Sequence, residues 1–301
     1  MNNLADIGIQ TNKRSRITNP VFSILIPSWN NLSYLKLCIE SIQRNSRFQH
    51  QIIIHINEGR DGTLDWIGSQ ESIDFTHSRE NIGVCYALNL SSTLADSDYL
   101  LFMNDDMYAC PDWDLELHNE MRSIGHPYFF LSSTAIEPFD TNNPCALIMD
   151  CGRDIENFDE GKLLKVFMSQ RMNDWQGATW PPNLIHKQIW RLVGGYSTEF
   201  SPGMYSDPDF SMKLWNLGIR FFKGCSKSRV YHFGSKSVGR VKRNKGYFRF
   251  IEKWGLTSDT FTRHYLKRGQ PFSGPLPEPH LSIGIRFKNF IKRAQTAFRQ
   301  L

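Results

Sequence analysis

Residues 99–107 read YLLFMNDDM, a short apolar burst that is broken by Asn104-Asp105-Asp106. An apolar run of this length, bounded by turn-forming residues, reads as a buried strand whose end carries the acids. The same design recurs upstream. Residues 21–27, VFSILIP, form an apolar run closed by proline and followed by Trp29-Asn30. Residues 51–56 are largely β-branched and run into Asn57-Glu58-Gly59-Arg60-Asp61-Gly62, and residues 75–77 add a short strand. Between these runs, residues 33–43, 63–70 and 83–95 have helical character; the first carries apolar side chains at 35, 37, 39 and 42. Strands alternating with helices predict an α/β fold, a Rossmann-like, mostly parallel sheet flanked by helices. In such a sheet the ligand crevice lies beyond the carboxyl ends of the strands. Three separate segments therefore deliver polar residues to one edge.

Beyond residue 110 the pattern is irregular. Residues 129–132 and 147–149 read as strands. Residues 183–192 read as a helix ending at Gly194-Gly195, and 209–218 as another closed by glycine. No repeat or low-complexity segment interrupts the chain. Residues 1–19, polar and aperiodic, are expected to be a flexible arm. Residues 20–240 form the main domain, split into halves at 20–110 and 111–240, and 241–301 a basic helical extension at the C-terminus.

Composition narrows the class. Of 301 residues, 40% are hydrophobic and 22% charged, which supports one large core and excludes wholesale disorder. No apolar run approaches the roughly 20 residues of a membrane-spanning helix. The charged N-terminus has no apolar stretch of a secretory signal. Six cysteines, at 38, 85, 110, 145, 151 and 225, show no CxxC or zinc-ligand spacing. Together these features predict a cytoplasmic protein. Net charge is +5, with eleven Lys or Arg and one acid between residues 220 and 254. Such a run either meets an anionic partner or is solvated.

Five stretches in fixed order carry a resemblance: ILIPSWNN, INEGRDGT, ENIGVCYALN, LFMNDDM, and the set GGY, EFSPGMYSDPDF and VYHFGSKS. Together they resemble the family 2 inverting glycosyltransferases with the GT-A fold, over residues 22–237. The resemblance implies a nucleotide-sugar donor, UDP-sugar favoured, held through a divalent metal, Mn2+ or Mg2+. It implies nucleotide contacts from Pro27, Trp29, Asn57, Glu58, Asn81, Gly83 and Asp105, and metal ligands among Asp106, Asn104 and His232. Asp207 matches the Asp of the family's Glu-Asp pair and is the expected catalytic base, with Asp209 as alternate. Trp175, Gly177 and Trp180 fall where the family contacts sugar or acceptor. Two positions depart from the pattern: an amide, Asn104, opens the DxD-like motif, and Ser206 replaces the first acid before Asp207. The QxxRW motif of the processive synthases is absent, which implies transfer of a single sugar.

The chemistry suits these residues. A hard cation with oxygen ligands neutralises the diphosphate left behind, and transfer needs a base for the acceptor hydroxyl. Each assignment has a structural alternative. Asn and Asp favour turns, an acid in a first turn caps a helix, and a His beside aromatics is often a satisfied core residue. The basic residues 236–245 are either a lid over the diphosphate or a solvated loop. Residues 281–301 place apolar side chains at helical spacing among Arg286, Lys288, Lys292, Arg293 and Arg299, with no acid. Such a helix either contacts an anionic membrane surface, which would suit a lipid-linked acceptor, or docks on its own domain. The rival readings are a nucleotidyltransferase, which would need a glycine-rich phosphate loop, and a catalytically silent scaffold that binds sugar or nucleotide. Nucleic acid is not expected as a partner, because no recognition signature accompanies the basic run.

Overall fold

The computed structural model describes residues 8–234 and 245–298. In chain order, strand β1 (Gln10–Asn12) precedes β2 (Ser23–Trp29), helix α1 (Leu32–Asn45), β3 (Gln51–Asn57), α2 (Thr63–Gly68), β4 (Asp74–Ser78), α3 (Gly83–Ser92) and β5 (Tyr99–Phe102). The second half holds β6 (Met107–Ala109), α4 (Trp113–Ile124), β7 (Phe129–Glu137), β8 (Ala146–Ile148), α5 (Glu160–Val166), β9 (Trp175–Gln176), β10 (Asn183–His186), α6 (Lys187–Leu192), α7 (Ser206–Asn216) and β11 (Phe221–His232). Helices α8 (Gly246–Trp254), α9 (Ser258–Thr260) and α10 (Ile283–Phe298) follow.

The strands join one sheet in the order β1-β4-β3-β2-β5-β10-β7-β11-β6. Its core is parallel: β4, β3, β2 and β5 run together, and β7 runs with β11. Burial on both faces explains why these strands read as continuous apolar runs. Ile24, Ile26, Ile54 and Ile56 pack against Leu35, Ile39 and Ile42 of α1, while Leu25 and Ile53 face Cys85 and Leu88 of α3. All six cysteines are free and buried, as small apolar side chains are.

Two expectations need correction. Residues 183–192 are not one helix: β10 occupies the first four and lies antiparallel between β5 and β7. Leu184 and Ile185 are buried in the two opposite layers, so the position in the sheet overrides a helical pattern. The helix begins only at Lys187, where the His186 ring accepts from the Gln188 amide at 3.2 Å. The arm over 1–19 is also not loose in its described part. Residues 10–12 add to the edge of β4, and the Arg14 and Ser15 amides donate to Asp74 Oδ1 at 2.5 and 2.7 Å. An open strand edge offers unpaired backbone groups that a polar segment can take without any apolar signal.

The extension from residue 241 is no appendage. Phe250, Phe261, Leu266 and Leu276 are buried in the same cluster as Leu25 and Ile53. Two cations of the basic run before it, Lys223 and Arg229, are internal as well. Lys223 lies 2.7 Å from Glu120 and 2.9 Å from Asp174, and Arg229 is buried and donates to the carbonyls of Ser226, Phe167 and Gln170. Of the 236–245 stretch, all but Lys245 lies outside the described residues.

Candidate active site

The carboxyl ends of β2, β3 and β5 open onto a cavity of about 930 Å3, within the usual range for small-molecule sites. Asn57 ties its floor together: its amide donates to the Ser28 carbonyl at 3.4 Å and its carbonyl accepts from the Ile82 amide at 2.9 Å. Asn81 accepts from the Gly83 amide at 2.9 Å and so turns the chain into α3. Gly83 has φ of +79°, and a Cβ there would stand 2.6 Å from Pro202 Cα. Its glycine therefore admits the 201–205 loop, which forms another wall. Pro27, Trp29, Asn57, Asn81 and Gly83 all line the cavity. Glu58 does not. Its carboxylate accepts from the Asn30 side chain at 3.1 Å and stands 3.7 Å from Arg60 Nε.

Asn104, Asp105 and Asp106 follow β5 into the cavity. Ser28 Oγ donates to Asp105 Oδ2 at 2.7 Å, linking the ends of β2 and β5. Across from this turn, the end of β11 presents His232, whose Nε2 is buried without a hydrogen-bond partner and lies 3.5 Å from Asp106 Oδ1. His232 Nδ1 stands 3.7 Å from Glu137 Oε1. Burial opposes a charged imidazole, yet the negative charges of Asp106 and Glu137 carry its pKa up to about 10. Burial would raise the Glu137 carboxyl, but bonds from His232 and Thr141 hold it below its ordinary range. This corner of the cavity thus favours positive charge. A divalent cation would meet the same demand for positive charge, with Asp106 and the deprotonated His232 Nε2 as ligands once the imidazole proton is displaced. Among the described residues no group of three or more His, Cys, Asp or Glu is arranged to hold a metal alone. A cation here would take its remaining ligands from phosphates or water, as Mg2+ commonly does.

Asp207 lies in the first turn of α7 and on the cavity wall. Burial pushes its carboxyl up to about 7, against a bond from the Tyr196 hydroxyl at 3.2 Å. Tyr196 is itself fixed, stacked on Phe210 at 4.6 Å and paired through its backbone with the Asn89 side chain. Asp209, the alternate base, turns away from the cavity. It accepts from Trp254 Nε1 at 2.9 Å and pairs with Lys253 at 3.0 Å, so it anchors α8. Ser206 donates to the Gly203 carbonyl at 2.5 Å and shapes the turn.

The aromatic candidates divide. Trp175 lines the cavity but is held in place, its Nε1 donating to Thr134 at 2.9 Å while its ring covers Gly224. Trp180 is 38% exposed at the rim, with the Arg268 guanidinium 3.7 Å above its ring. Gly177 is absent from the wall; a Cβ there would meet Arg268 Cα at 2.8 Å, so it serves the packing of the 266–268 segment. The sequence reading missed Glu137, Tyr196 and Arg268. Glu137 was detectable as an acid at a strand's carboxyl end, had β7 been traced past Ser132. Arg268 left no signal, since it arrives from the C-terminal segment by tertiary folding.

The chain is similar to known proteins in sequence and in fold. The chain is 31% identical over 94 residues to the uncharacterized glycosyltransferase YfnE of Bacillus subtilis (strain 168), covering 30% of this chain and 24% of YfnE. It is 23% identical over 236 residues to the chondroitin synthase of Pasteurella multocida (strain Pm70), covering 75% of this chain and 22% of the synthase. The chain thus spans about a quarter or less of the curated relatives it matches. The solved structure of GalNAc-T7 with UDP, GalNAc and Mn2+ shares the fold, with a TM-score of 0.57 at 12% identity over 93% of this chain and 55% of that one. The family model described as glycosyl transferase family 2 matches residues 23–173, and the chain belongs to that family.

Proposed function

We propose that the protein moves a single sugar from a nucleoside-diphosphate sugar, UDP-sugar favoured, to a hydroxyl of a glycan or lipid-linked acceptor, with inversion at the anomeric carbon. One observation carries this reading: a single cavity sets the Asp106–His232 corner on one wall and Asp207 on another. In the transfer the acceptor oxygen attacks the anomeric carbon, the bond from that carbon to the diphosphate breaks, and Asp207 takes the acceptor proton. A base with a pKa near 7 suits that task at neutral pH. Asp106 and His232 would hold the divalent cation, Mn2+ or Mg2+, which offsets charge on the departing diphosphate. Asp105 and the Asn57 turn position the nucleotide, and Trp180 with Arg268 offers an exposed face for sugar or acceptor. The GalNAc-T7 structure with UDP and Mn2+ supports the donor class and the metal.

The test is release of nucleoside diphosphate from a panel of nucleotide sugars with glycan and lipid-linked acceptors. Turnover of one donor, lowered about 10²–10⁴-fold in Asp207→Asn with donor still bound, is the expected result. Donor binding with no turnover on any acceptor would favour the silent scaffold instead.

A further inference from the structure

Helix α10 docks through its polar side. Asn289 is 5% exposed, and its Oδ1 accepts from the Thr257 amide at 3.2 Å and the Thr260 hydroxyl at 2.9 Å. Thr296, two turns further on, is buried on the same side. Four of its apolar side chains face away from the protein, Ile283 at 86% exposed, Phe287 62%, Phe290 67% and Phe298 76%, while Ile285 is half-buried on the docked side. At about 3.6 residues per turn these four fall on one stripe, opposite the Asn289–Thr296 face. A helix normally buries such a stripe. Here the fold spends hydrogen bonds to present it to solvent.

We infer that α10 is a docking surface for an anionic lipid bilayer. Charge identifies the occupant. Arg286 and Arg293 flank the apolar stripe on one side and Lys288 on the other, and the helix carries no acid. Aromatic and aliphatic side chains between cations are the pattern that enters an interface and pairs with anionic headgroups. The helix has 16 residues, and among the described residues no helix is long and apolar enough to cross a membrane, so α10 lies along the surface. Its anchor is also informative. Thr257 and Thr260 hold Asn289, and Ser258, Asp259 and Thr262 beside them line the cavity. Lipid docking through α10 therefore fixes one rim of the cavity relative to the bilayer.

Flotation of the full chain with vesicles tests this. One set is phosphatidylcholine alone and the other includes phosphatidylglycerol. The wild type is expected to float with the anionic vesicles and not with the neutral ones. Phe287→Ser with Phe290→Ser, and separately Arg286→Glu with Arg293→Glu, should each weaken that binding roughly tenfold or more. Thermal transition and donor binding should stay unchanged in both, because these side chains are exposed and remote from the cavity wall. Wild type that ignores both vesicles, or binds both equally, would overturn the inference. So would a dimer seen by light scattering that the Phe pair dissolves while vesicles are left unbound, since the stripe would then belong to a second copy.

Discussion

Asp207 and Asp209 stand two residues apart in one helical turn, yet their surroundings give them different work. Asp207 is buried against the cavity with one phenol as partner, which leaves its pKa near 7. Asp209 is buried against a lysine and an indole, which consume it structurally. A base acts in its deprotonated form, so activity should rise about tenfold per pH unit below 7 and level off above it. Asp207→Asn should lower kcat by about 10²–10⁴ and remove that limb, leaving donor affinity near wild type. Asp209→Asn should keep the limb and instead lose about 1–3 kcal/mol of stability in a urea titration, the cost of weakening a partly solvated pair. Loss of the limb in the second variant would reverse the two assignments.

The same contrast governs the elements. The parallel strands were readable because burial on both faces makes them continuous apolar runs, and the polar residues at their ends were readable as a crevice. β10 was not, because four residues preceded by two prolines carry too little pattern for periodicity to decide. The division into halves and extension failed to foresee Arg268 at the rim, since composition says nothing about which distant segment folds back. Gly83 was expected among the nucleotide contacts; it lines the cavity, and its lack of a side chain also admits the loop that leads to Asp207. Gly83→Ala forces a side chain into positive φ and against Pro202, at a cost of about 1–3 kcal/mol. Its expected signature is a lower melting temperature with a raised donor KM. An unchanged KM would show that the 201–205 loop does not depend on that contact.

At the scale of the molecule, residues 245–298 belong to the core and the site alike. Phe250, Phe261, Leu266 and Leu276 complete one face of the sheet, and Arg268 covers Trp180. A chain ending at residue 240 should therefore fail to unfold cooperatively in a thermal melt, while the full chain shows one transition. A sharp transition in the shortened chain would mean that residues 20–240 fold alone.

The most direct measurement is calorimetric titration of nucleotide sugars into the full chain, with Mn2+ and with a chelator, for the wild type and Asp106→Ala. Binding of one nucleotide class that needs the metal and is lost in the variant is the expected result. If no nucleotide sugar binds with metal present, or if Asp106→Ala binds as the wild type does, the Asp106–His232 corner is not the diphosphate site and the proposed transfer does not occur there.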